Sequence, residues 1–129
     1  MASLVIKIYN FFEGDYMKIQ KLVDSIHYWD SKVLAFDMKY FADELILKCE
    51  PGIYIFKGCY NLELKHTPKF EKAIPPEKWT YAQLPYTIHD ISIHENNRDS
   101  TSKYSVTITM PPMFVELSCN EIIVNSTSN

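Results

Sequence analysis

A chain of 129 residues with 47% hydrophobic and 22% charged side chains has the composition of one folded domain around one core, and it is too apolar to stay disordered. Thirteen Lys plus Arg against sixteen Asp plus Glu give a net charge of −3, spread along the chain without a polybasic arm. Arg98 is the only arginine, so the bidentate phosphate and guanine contacts of nucleic-acid recognition are almost unsupplied, and neither DNA nor RNA is an expected partner. The three glycines are too few for a phosphate-cradling loop.

The start of the chain, MASLVIKIYNFF, is apolar but is interrupted by Lys7 and lacks a basic lead and a small-residue cleavage site, so it reads as strand or helix and not as a signal. No stretch reaches the ~20 apolar residues of a membrane helix, and a cytoplasmic location is expected. Residues 16–27 follow with Met17, Ile19, Leu22, Val23 and Ile26 at helical spacing, and Asp15 is a plausible N-cap. From Ser31 to Tyr40 the period becomes two. Leu34, Phe36, Met38 and Tyr40 alternate with polar positions, as in a half-buried strand. Ala42-Asp43 then makes a turn, Glu44 to Cys49 a second strand, Glu50-Pro51-Gly52 another turn and Ile53 to Lys65 a long third strand. Gly58 in the middle of that strand marks a bulge or bend.

Pro68, Pro75, Pro76 and Pro85 make residues 66–86 a connector with one or two helical turns from Pro76 onward, pinned to the body by Trp79 and Tyr81. The strand pattern then returns over 87–124: Thr87 to His94, a polar loop to Ser102, Lys103 to Thr109, a turn at Met110-Pro111-Pro112, and Met113 to Val124. Residues 125–129 form a polar tail.

Shifted by sixty residues, the two strand units coincide in layout: Asp30 with Asp90, Pro51 with Pro111, Ile53-Tyr54-Ile55 with Met113-Phe114-Val115, and Gly58-Cys59 with Ser118-Cys119. Repeated element order, more than identity, predicts the architecture. The fold expected is mainly β (α+β), with two three-stranded antiparallel units, 31–65 and 87–124, forming a sandwich or partly open barrel. One short N-terminal helix closes an end or covers a sheet.

Chemistry-bearing residues are sparse. His27, Asp30, His89, Asp90 and His94 are the titratable types the repeat could gather, yet His89 and Asp90 are adjacent in a strand and point to opposite faces. No metal-ligand spacing occurs, and the two aspartates read as strand-entry hydrogen-bonding residues. No serine sits in a nucleophile context. Cys49, Cys59 and Cys119 lie in or beside apolar runs, without a C-x-x-C pair, as buried reduced thiols do. Neither an enzymatic activity nor a metal or cofactor is expected. The stronger signal is the excess of large rings, since Tyr and Trp anchor protein interfaces. The candidate binding residues are Trp29, Asp30, Tyr40, Phe41, Phe70, Trp79, Tyr81 and Arg98.

The segments HYWDSKVL (27–34) and IYIFKGCYNLEL (53–64), echoed by TIHDISI (87–93) and MFVELSCNEIIV (113–124), resemble the small immunity proteins of bacterial polymorphic toxin systems. The shared features are an aromatic-Asp-Ser entry after a short helix and an aromatic-rich closing strand. The resemblance implies a non-enzymatic cytoplasmic protein that binds and blocks a cognate toxin. A net charge of −3 is less acidic than an inhibitor of a basic nuclease often is. The competing expectation is a β protein that sequesters a nucleotide-type small molecule, with the loop 95–103 and its Arg98 as phosphate contacts. Self-association through exposed rings is a further expectation.

Overall fold

Turn residues cut the chain where the sequence predicts, and the long third strand of each unit is itself divided in two. The structure, a computed structural model, describes residues 5–7, 15–67, 74–95 and 103–127. The polar loop 96–102 and the middle of the connector, 68–73, with Arg98 and Phe70, lie outside the described residues. In chain order the elements are β1 (Val5–Lys7), α1 (Asp15–Asp24), β2 (Val33–Lys39), β3 (Glu44–Cys49), β4 (Gly52–Lys57), β5 (Tyr60–His66), β6 (Asp90–Glu95), β7 (Tyr104–Met110), β8 (Met113–Cys119) and β9 (Glu121–Ser126). They form two antiparallel sheets of order β1-β9-β4-β3-β2 and β5-β8-β7-β6.

This order makes the sixty-residue repeat a structural one. β2-β3-β4-β5 and β6-β7-β8-β9 are equivalent runs, and each contributes three strands to one sheet and its last strand to the other. The exchange happens at two corners. Gly58, at φ +68°, turns β4 into β5, and Asn120 separates β8 from β9. A Cβ on Gly58 would come within 2.9 Å of the Asn120 side chain, so the bend predicted at Gly58 is also the point where the two corners touch. The bent strands stay antiparallel throughout, with Lys57 opposite Glu121 in one sheet and Tyr60 opposite Ser118 in the other.

Inward-facing residues of both sheets make the core: Leu45, Leu47, Tyr54 and Phe56 from one, Ile91, Val106, Ile108 and Val115 from the other. Burying side chains of this size supplies about 1.5–3 kcal/mol each. The helix packs on β6 and β9 with Ile19, Leu22 and Val23 buried, and so covers a sheet edge as expected. It ends at Asp24, earlier than the period of its apolar residues implies, because His27 takes a left-handed conformation at φ 51°. The Tyr54 hydroxyl donates to the Val23 carbonyl at 2.6 Å, satisfying one of the carbonyls that a helix end leaves open. Among the described residues, no helix is long and apolar enough to cross a membrane.

One expectation fails in β2. The alternation there predicts Leu34, Met38 and Tyr40 on a buried face, but these residues are exposed and Val33 is buried. Leu34 is the extra residue of a bulge between Val33 and Ala35 that shifts the register against β3. β2 is also an outermost strand, so even Met38, which shares the inner face with its partner Leu45, lacks a covering sheet.

Candidate interaction surface

Two chain segments meet where β2 begins. Asp30 N–H donates to Ile88 C=O at 2.8 Å, Ile88 N–H to Ser31 C=O at 3.0 Å and Val33 N–H to Tyr86 C=O at 3.0 Å, so the end of the connector seals the first residues of the strand. Asp30 reaches this geometry in a left-handed conformation, φ 61°, which Asp tolerates better than most residues. Asp90 instead accepts a bond from the Ser92 hydroxyl. The two equivalent aspartates therefore share a position in the repeat without sharing a role.

Trp29 lies outside this seam, 45% exposed. Its ring stacks on Tyr28 with centroids 4.4 Å apart. Tyr28 is fully buried, its hydroxyl accepts from Ile91 N–H at 2.9 Å, and burial raises its phenol far above the ordinary range. An exposed indole is thus seated on a neutral, fixed ring, the low-entropy arrangement that suits an interface anchor. Three residues on, Lys32 donates from Nζ to the Tyr81 carbonyl at 3.2 Å and holds its ammonium 5.1 Å from the Tyr81 ring centroid. The Lys32 N–H donates to the Glu50 carboxylate. Trp29, Asp30 and Tyr81 consequently flank one strand entry, and all three face solvent.

The connector is folded as the prolines predict. Short 3-10 turns span Pro76–Lys78 and Tyr81–Gln83, and the Gln83 side chain accepts from Thr80 N–H at 2.9 Å. Trp79, half-buried, donates its indole N–H to Ile74 C=O at 3.0 Å. With Leu34, Phe36, Tyr86, Met110 and Met113 it lines a groove of about 340 Å³. Among the described residues no charged side chain lines that groove, so its described lining suits an apolar side chain better than a nucleotide phosphate.

Tyr40 and Phe41 are at the other end of β2, on the β2-β3 turn, and the strand separates them from Trp29 and Asp30. Tyr40, Phe41 and Ala42 occupy consecutive left-handed conformations, φ 54°, 57° and 71°. Each costs about 1–2 kcal/mol for a residue with a Cβ. Phe41 is completely exposed and Tyr40 is 71% exposed. The strong backbone bias at the tip was missed in the sequence because none of the three residues is Gly, Asn or Asp.

Among the described residues no three of His, Cys, Asp and Glu gather in a way that could hold a metal ion. Cys49, Cys59 and Cys119 are free and buried, and burial raises all three thiols, Cys59 to about 11. Protonated, enclosed thiols are poor nucleophiles.

Comparison with known proteins places the chain in a family. No curated protein matches the chain significantly. The family described as immunity protein PIM7 matches residues 15–126, a span running from the start of α1 to the end of β9 and containing both strand units and the connector. The chain belongs to the immunity protein PIM7 family.

Proposed function

We propose that this protein neutralises a cognate bacterial toxin by binding it in the cytoplasm, without catalysis, and that the surface around the entry of β2 makes the contact. Family membership supports a toxin-directed role. The observation that carries the choice of surface is the exposed Trp29 ring stacked on buried Tyr28, with Asp30, Lys32 and Tyr81 at the same strand entry. Rings held rigid before binding lose little entropy on contact, and the flanking charges select the partner's orientation. The outer face of the β5-β8-β7-β6 sheet carries small hydroxyl residues such as Ser92, Ser105 and Thr107 and one exposed ring, Phe114.

The test is co-expression with the toxin encoded beside this gene. A complex that co-purifies, and cells that survive the toxin, are expected. Replacing Trp29 and Tyr81 together with Ala is expected to weaken binding by about 2–4 kcal/mol, the range of interface hot spots, with the melting temperature little changed. Full protection by that double variant would overturn the assignment of the surface. Failure of the wild-type chain to bind or protect would overturn the function.

A further inference from the structure

Among the described residues, the outer edge of β2 is closed only at its start. Val33 N–H turns outward to Tyr86, and beyond it no described strand pairs with β2 on that side. Which backbone groups are left open follows from the register. Cys49 pairs with Gly52 across a two-residue turn, so Cys49, Leu47 and Leu45 direct their backbone groups to β4, while Lys48, Ile46 and Glu44 direct theirs to β2. Their β2 partners Ala35, Asp37 and Lys39 are thereby satisfied. Phe36 and Met38 turn N–H and C=O to the open side. Such an edge is a template for another extended chain.

We propose that a second copy of this chain occupies that edge, β2 pairing antiparallel with its counterpart about a twofold axis at Met38. Antiparallel self-pairing through outward residues offers a small set of registers. Centred on Met38, it places Asp37 opposite Lys39 of the other copy, twice by symmetry, and Phe36 opposite Tyr40. Centred on Asp37, it opposes two aspartates. Opposite charges directly across a pair of strands stabilise it and like charges destabilise it, so the charges of Asp37 and Lys39, both exposed, select the first register. A twofold contact made from one patch on both copies closes on itself and does not propagate.

The same register brings the Tyr40-Phe41-Ala42 tip of each copy level with Leu34 to Phe36 of the other, the stretch of β2 that lines the apolar groove. Phe41 is the side chain that fills it. A fully exposed ring held on a left-handed turn and an empty apolar groove are then two halves of one contact, made twice. The pairing leaves Trp29, Asp30 and Tyr81 outside, so it stands independently of the toxin-binding proposal.

Sedimentation velocity across a concentration series tests the pairing on the full chain without a toxin. A concentration-dependent dimer is expected. Asp37→Lys is expected to weaken it by about tenfold or more and the swap Asp37→Lys with Lys39→Asp to restore it, because the swap regenerates both cross-strand pairs. Phe41→Ser is expected to weaken it with the melting temperature unchanged or higher. Met38→Cys supplies an independent reading. Residues facing each other at the axis lie ~5.5 Å apart between Cα atoms, within disulfide range, and the three native thiols are buried. A covalent dimer under mild oxidation is expected from this variant and not from wild type. A monomer at every concentration, with no crosslinked Met38→Cys dimer, overturns the proposal. So does a dimer that the charge reversal leaves intact. A chain that is monomeric alone but loses toxin binding on Asp37→Lys overturns it too, and gives the edge to a toxin strand.

Discussion

β2 and β6 are equivalent strands of the internal repeat, and each is the outermost strand of its sheet, yet their outer edges are treated in opposite ways. On β6, Gln20 from the helix donates to Ile91 C=O at 2.8 Å and accepts from Ile93 N–H at 2.7 Å, as a neighbouring strand would. The Tyr28 hydroxyl accepts from Ile91 N–H at 2.9 Å. On β2 the described part of the connector covers only the first residues, and no described strand pairs with the outward backbone groups of Phe36 and Met38. A duplicated fold has two such edges to manage. Here the helix seals one, and no described strand covers the other.

The largest effect should come from unsealing β6. Gln20→Ala combined with Tyr28→Phe leaves buried backbone groups of Ile91 and Ile93 unbonded, and is expected to cost about 2–5 kcal/mol in urea unfolding, with the single variants smaller and not additive. An equally severe loss from Met38→Ala would erase the contrast between the edges. Next comes the second turn of each unit, β3-β4 and β7-β8. Gly52 has the Asn125 carbonyl where a Cβ would stand, whereas the equivalent position of the second unit is Pro112. Gly52→Ala should therefore destabilise by about 1–3 kcal/mol.

The corners differ in the same sense. Gly58 is left-handed and no equivalent positive φ occurs at Ser118. Gly58→Ala should cost about 1–2 kcal/mol and Ser118→Ala less, both read as shifts in unfolding midpoint. The tip predicts the opposite sign. Phe41→Asn keeps a residue that tolerates φ near +57° and removes no buried surface, so a gain of up to about 1 kcal/mol in monomer stability is expected.

The smallest effect near neutral pH comes from the buried thiols. Burial raises the Cys59 thiol to about 11 and raises Cys119 as well. A folded-state value above the unfolded one of ~8.5 means that the unionised thiol contributes fully below that pH. The contribution is lost as pH rises toward 11. Unfolding midpoints should fall over that interval, and less steeply in a Cys59→Ala, Cys119→Ala variant. Parallel slopes would assign the fall to Cys49 and to Tyr28 and Tyr54, which burial raises in the same direction.

Much of the fold was legible because turns and periods are local signals. Pro51-Gly52, Pro111-Pro112 and Gly58 all stand at real turns or bends, and Pro76 opens a 3-10 turn. The crossing of β5 and β9 between sheets was not legible, since a strand that bends and one that continues share the same alternation. The Leu34 bulge was hidden for a related reason. One extra residue moved Val33 inside and left Leu34 outside, against a regular pattern. At the candidate surface, the ring-rich composition led to Trp29, Tyr40, Phe41 and Tyr81, all of which are exposed. It could not separate them into two groups at opposite ends of β2, because that grouping depends on where the connector folds back. Gln20 stands at a polar position of the helix pattern, and its pairing with β6 depends on contacts over seventy residues away.

Residue-level amide exchange on the complex with the cognate toxin tests the central claim most directly. The account predicts new protection over residues 27–33 and 76–86, with the already sealed amides of Ile91 and Ile93 unchanged. Protection confined to β7 and β8, or no protection anywhere, would contradict it.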